Sequence, residues 1–171
     1  MVDMSINDAH TPFMKREPSP TQRAIRQEKP FRSLGQEAVI ALFLAAERVR
    51  WPYQDLLASE GDLTMQQYNV LRILRGAGEA GLPTLEIAER MIERTPGITR
   101  LLDRLEDKQL VQRERSTTDR RQVVARITRA GRDLIARFDE RFDELEDGSL
   151  GDLSAAELKT LLRLLERVHR G

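Results

Sequence analysis

The sequence predicts a mainly helical fold with one small β-hairpin, and three observations carry that prediction. Apolar residues recur at helical spacing through most of the chain beyond residue 33. Two short alternating segments, Val111 to Arg115 and 122–127, are joined by a loop without glycine. Two consecutive helical patterns immediately precede them, between Leu82 and Gly131. Helix, helix, strand, loop and strand in that order form a winged helix-turn-helix, with further helices on both sides.

The 171 residues are 40% hydrophobic and 33% charged, enough for one core of ordinary size. Residues 1–32 carry Pro12, Pro18, Pro20 and Pro30 and few apolar side chains, and are expected to form a flexible N-terminal arm or a short ancillary helix. Residues 33–171 form the folded domain. Ser33 and Gln36 have capping-box spacing and open the first long helix, with Leu34, Ala38, Ala41, Leu42, Ala45 and Val49 on one face. Pro52 is expected to kink or end it, leaving 53–58 as a last turn or short helix. Thr64 and Gln67 repeat the box before Val70, Leu71, Ile73 and Leu74, and Gly76 and Gly78 close that segment.

The next helix spans 84–91, with Leu85, Ala88 and Ile92 expected inward. A further helix, 95–108, has Thr95 as its expected cap and Pro96 at its first position, where a missing N–H costs nothing. Ile98, Leu101, Leu102 and Leu105 share its inner face, which turns Pro96, Arg100, Asp103 and Asp107 outward with Thr99 and Arg104 flanking. In the hairpin, Val123, Ala125 and Ile127 share a face, and Asp119 is the turn maker that holds Arg120 and Arg121 at the tip. Thr128 caps a helix carrying Leu134, Ile135, Phe138, Phe142 and Leu145, which Gly148 and Gly151 are expected to end. A third box, Ser154 and Glu157, opens a helix whose stripe Leu158, Leu161, Leu162, Leu165 and Val168 is too apolar to stay wet.

Charge is balanced overall, 28 Lys and Arg against 28 Asp and Glu, but not locally. From Lys108 to Arg132 eight basic residues face two acidic ones, a net of +6, whereas from Asp133 onward six face ten, a net of −4. A basic block coinciding with a helix-turn-helix pattern points to double-stranded DNA; a solvated charged face is the bland account. No serine–histidine–aspartate set, glycine-rich phosphate loop or HExxH can be written, so the chain is not expected to be an enzyme. Zero cysteines exclude disulfides and thiol redox sensing, and His10 and His169, alone at opposite ends, argue against a metal site. No cofactor is implied. With neither a signal peptide nor a membrane-length apolar run, the expected location is the cytoplasm. A competing class, a winged-helix interaction or scaffold module, would keep the core pattern but lose the basic wing.

The stretch LEIAERMIERTPGITRLLDRLEDKQLVQR, the D-x-R run Asp119, Arg120, Arg121 and the I-T-x-x-G run from Ile127 to Gly131 together resemble the MarR family of bacterial transcriptional regulators. The resemblance covers Ser33 to Gly171. It implies a homodimer in which residues 33–60 and 128–171 supply the dimerisation helices and 64–127 the winged helix-turn-helix. It also implies that the helix beginning at Thr95 enters the major groove and the wing arginine, Arg121, the minor groove. The DNA-binding set is then Thr95, Pro96, Thr99, Arg100, Asp103 and Arg104 on the helix, with Arg115, Asp119, Arg120 and Arg121 in the wing. Arg100 can fork onto guanine O6 and N7 or clamp a phosphate, and Thr99 can do either more weakly. Asp103 can accept from cytosine N4 or pair with a neighbouring arginine, and Asp119 orients Arg121 or the loop without touching DNA itself. The family further implies a repressor's inverted-repeat operator and a small anionic, often phenolic, effector held between the dimerisation and DNA-binding parts. Trp51, Tyr53, Tyr68 and Arg72 are candidates for its wall and anion partner, ordinary core or interface packing being the other account of them.

Overall fold

The computed structural model describes residues 17–93, 97–116 and 121–170. The chain divides into two compact units, Met1–Ala46 and Glu47–Gly171. In the first, Ser19 and Gln22 form a reciprocal capping box on the short helix α1 (Pro20–Ala24), inside the segment expected as an arm. Helix α2 (Leu34–Gly61) begins here and continues into the second unit. Ser33 accepts from the Gln36 N–H at 3.1 Å, but Gln36 reaches back to Arg32 and not to Ser33, so only half of the expected box forms. Pro52 does not end α2, which runs through it to Gly61. Proline removes one N–H donor, but Leu56 and Leu57 beyond it are buried, and their burial holds the continuation in place.

The second unit contains the core. Helix α3 (Met65–Ala77) starts at the predicted Thr64–Gln67 box, and its Val70, Leu71 and Leu74 are wholly buried. A single 3₁₀ turn (Gly78–Ala80) leads to β1 (Leu82–Pro83), a strand too short to show any period in the sequence. It pairs with β3 (Val123–Ile127), which also pairs with β2 (Val111–Arg115) in the register Val111↔Ile127 to Arg115↔Val123. The wing is therefore part of a three-stranded antiparallel sheet of order β1-β3-β2 and not an isolated hairpin. Gly81 makes the extra pairing possible: at φ 66° an added Cβ would lie 2.4 Å from the Ala125 carbonyl oxygen.

Helix α4 (Thr84–Arg90) reverses the expected inner face. Ile87 is fully buried, while Leu85 and Ile92 are 72% and 85% exposed. Met91 is extended, with ψ 137°, so the helical period stops before Ile92 and the stripe drawn through Leu85, Ala88 and Ile92 does not exist. Helix α5 (Ile98–Asp107) buries Leu101, Leu102 and Leu105 as predicted, with Ile98 packed at the edge. In β3, Ala125 and Ile127 are buried but Val123, at the strand's outer end, is exposed.

Thr128 caps helix α6 (Arg129–Leu150) by accepting from the Gly131 N–H at 3.0 Å. Gly131 itself is needed for packing, because a Cβ there would lie 2.3 Å from the Leu110 carbonyl oxygen. Gly148 does not break α6, which runs on to Leu150. A glycine facing open space costs a helix only about 1 kcal/mol. Helix α7 (Ala155–His169) opens at the predicted Ser154–Glu157 box and buries none of its residues; Leu162 and Val168 stand about two-thirds exposed. No described helix is long and apolar enough to cross a membrane.

The inverted face of α4 is directly testable. Ile87→Ala should cost about 2–5 kcal/mol in urea denaturation, and Leu85→Ala should stay within about 0.5 kcal/mol of the parent. The reverse order would return Leu85 to the core.

Candidate functional site

The N-cap of α5 is Gly97 in the left-handed region at φ 103°, a conformation that any residue with a Cβ adopts only under strain. The helix thus begins at Ile98, later than the sequence indicates; Thr95 and Pro96 lie outside the described residues. Because the leucine face is turned to the core, Thr99, Arg100 and Arg104 project into solvent. Asp103, half exposed, is paired: its carboxylate is 2.7 Å from the Arg113 guanidinium, the second of the two roles open to it in the sequence.

Arg113 connects this helix to the wing. Its Nε and Nη2 donate to Glu106 Oε2 at 2.9 and 2.6 Å, and its backbone N–H donates to Glu106 Oε1 at 3.0 Å. These bonds hold the Glu106 carboxyl below its ordinary pKa and raise that of Arg113. β2 and α5 are therefore fastened by a charge-assisted cluster on top of their apolar packing. Other cations of the basic block are also occupied internally. Lys108 bonds to Asp62, and Arg126 donates to the Glu79 carbonyl at 2.7 Å and pairs with Glu114. The sequence's net of +6 overstates what can face a polyanion.

On the wing, Arg115 and Arg121 are exposed, and Arg115 makes no ion pair among the described residues. Asp119 and Arg120 lie outside the described residues. A concavity of about 700 Å³ joins the start of α4, the start of α5 and the wing; Thr84, Leu85, Glu86, Thr99, Arg121 and Val123 are among its walls. Thr99 and Arg121, 22 residues apart in the chain, thus border one concave face.

A second cleft, about 790 Å³, lies between α3 and α6 and is walled by Tyr53, Tyr68, Arg72, Phe142 and others. Three of the four residues singled out for ligand binding meet there. Trp51 does not; it is exposed and outside the lining. The rings of Tyr53 and Tyr68 stand 4.8 and 5.0 Å from that of Phe142, and the Arg72 guanidinium lies 5.9 Å from the Tyr68 centroid. Burial pushes the Tyr68 phenol above its usual range, against the opposing pull of the neighbouring Arg72 guanidinium. Arg75 grips Asp139 with two bonds, 2.7 and 3.2 Å, fixing α3 against α6.

Sequence reasoning missed Asp139, Phe142, Asp143 and Glu146 as members of this site. Their spacing of i, i+3, i+4 and i+7 on α6 was visible, but only packing against α3 shows that this face lines a cleft. Met91, Ile92 and Glu93 close the cleft from the segment that precedes α5. Asn69 Oδ1 accepts from the Ile92 N–H at 3.0 Å, and Glu93 accepts from Gln66 at 3.2 Å.

Residues 63–123 match the model of the MarR family. The HTH-type transcriptional regulator FarR of Neisseria gonorrhoeae is 30% identical over 133 residues, covering 75% of this chain and 88% of FarR. A crystal structure of a MarR transcription factor from Planctomyces limnophilus is 40% identical, covers 80% of this chain and 98% of its own, and superposes with a TM-score of 0.61. The S. aureus MepR–DNA complex is 26% identical, covers 76% and 94%, and gives a TM-score of 0.69.

The Arg113 cluster predicts a pH signature. Glu106, depressed in the folded state, contributes stability that is fully present above the ordinary carboxylate pKa of about 4.3 and is lost as pH falls through its lower folded value. Glu106→Gln should therefore lower the urea midpoint at about pH 7 and converge with the parent well below about pH 4. A gap that stays constant with pH would mean the carboxylate charge is not what fastens α5 to the wing.

Proposed function

The chain belongs to the MarR family, and on that premise we propose that it is a repressor that binds an inverted-repeat operator as a homodimer and is released by a small-molecule effector. Its relatives are transcriptional regulators and not enzymes, and this chain is a DNA-binding regulator of the same kind. The observation that carries the proposal is the concave face bordered by Thr99 and Arg121, where a reading helix and a basic wing present side by side. A B-DNA major groove about 12 Å wide admits a helix such as α5. Arg100 and Thr99 would then meet base edges and Arg104 a phosphate, with Thr95 and Pro96 just ahead of them. Arg121, flanked by Arg115 and Arg120 and oriented by Asp119, would enter the minor groove, where a narrow groove's negative potential favours a guanidinium. Asp103 would act through Arg113 and not on cytosine.

The dimer is supported by exposed apolar surface on the segments assigned to assembly, 33–60 and 128–171. Helix α7 contributes nothing to the core, and Leu34, Val39 and Phe43 of α2 are exposed. The cleft between α3 and α6 is the proposed effector site, because its wall includes the residues that lead into α5.

Sedimentation at micromolar concentration should give twice the 19.6 kDa chain mass. A monomer would remove the basis for a palindromic operator, whose half-site centres should lie about 10 bp apart by footprinting.

The wing and the helix should fail differently. Arg121→Ala should weaken binding to operator and unrelated DNA alike and reduce the salt slope by about one unit for each phosphate it no longer neutralises. Arg100→Ala should cost about 1–3 kcal/mol on the operator alone. Parent-like binding by Arg121→Ala would refute the wing assignment, and uniform weakening in Arg100→Ala would mean that Arg100 clamps a phosphate and reads no base.

A further inference from the structure

We propose that the cleft between α3 and α6 takes a small aromatic cation. This rests on the reading of that cleft as the effector site and supplies the charge of the ligand, which the sequence alone pointed to as anionic. The lining carries two basic side chains, Arg72 and Arg75, against four acidic ones, Glu93, Asp139, Asp143 and Glu146, a net of −2. Pairing makes the imbalance local. Arg75 and Asp139 satisfy each other, and Glu93 is held by Gln66 with Arg50 at 3.7 Å. Asp143 and Glu146 make no ion pair among the described residues, so Arg72 alone stands against two open carboxylates. An aromatic carboxylate would gain one cation and meet two like charges.

The apolar part of the cleft has the same preference. The rings of Tyr53 and Tyr68 lie 4.8 and 5.0 Å from that of Phe142, and aromatic faces attract cations and stack on planar ones. The Tyr68 ring already has a guanidinium, that of Arg72, 5.9 Å from its centroid. Asp143 and Glu146 line the same cleft as Tyr53 and Phe142, so both carboxylates border the rings from α6.

Three probes of nearly one shape separate charge from fit: benzamidinium, benzamide and benzoate, titrated calorimetrically into the full chain. Benzamidinium should bind about tenfold or more tightly than benzoate. In an Asp143→Asn/Glu146→Gln double variant, both positions being solvent-exposed, that preference should shrink to within about threefold. Tyr53→Ala, checked by thermal melting, should weaken benzamidinium. Benzoate binding as tightly as benzamidinium and weakened by Tyr53→Ala would overturn the cation while leaving the effector site standing. No binding by any probe, or binding indifferent to Tyr53→Ala, would overturn the effector site and the cation together.

Discussion

Everything in the larger unit is referred to α3. Its wholly buried Val70, Leu71 and Leu74 are packed within a ring formed by α4, α5, α6 and β3, so one helix sets the distance and angle between α5, the wing strand and the wall of the cleft. The Arg75–Asp139 bidentate bond fixes the register of α6 on α3, and the aromatic cluster Tyr68, Phe138 and Phe142 fills the space between them. Removing a methylene here would be felt at both sites, since close-packed interiors relax only in part.

Electrostatics is organised on the same frame. A chain with no net charge cannot attract DNA as a whole, so attraction depends on where opposite charges are paired off. The basic block spends Lys108, Arg113 and Arg126 on internal partners, whereas Arg115 on the wing and Arg100 and Arg104 on α5 are exposed and make no ion pair among the described residues. Asp103 and Glu106, which look adverse on a DNA-reading helix, are used to hold the wing strand through Arg113. On the far side, α6 presents to an aromatic slot two carboxylates that form no ion pair among the described residues.

The two concavities have no lining residue in common, but the chain links them. Met91, Ile92 and Glu93 wall the cleft and also lead toward Gly97 and the first turn of α5. Asn69 and Gln66 on α3 hold Ile92 and Glu93 by hydrogen bonds that span the cleft's edge. Asn69, which lines the cleft, is thus bonded to the backbone of the segment that precedes α5 in the chain.

Much was legible in the sequence because it depends on local chemistry. The capping boxes at Thr64 and Ser154, the Thr128 cap and the leucine face of α5 follow from short-range spacing, and all are found where that spacing puts them. Family membership was legible for the same reason, through motifs of fixed order. What failed needed a distant partner. The two-residue β1 exists only because β3 lies beside it, and α4 turns Ile87 inward because α3, α5 and β3 pack against that face. Pro52 and Gly148 read as breaks because propensity is local, whereas burial of Leu56 and Leu57 carries α2 through its proline. The sequence by itself determined the longer helices, the caps at Thr64, Thr128 and Ser154 and the residue types of the helix-turn-helix and wing. Which arginines are spent internally, which carboxylates stand open and which rings converge was decided by tertiary packing, because pairing energies depend on separations in space that no spacing along the chain encodes.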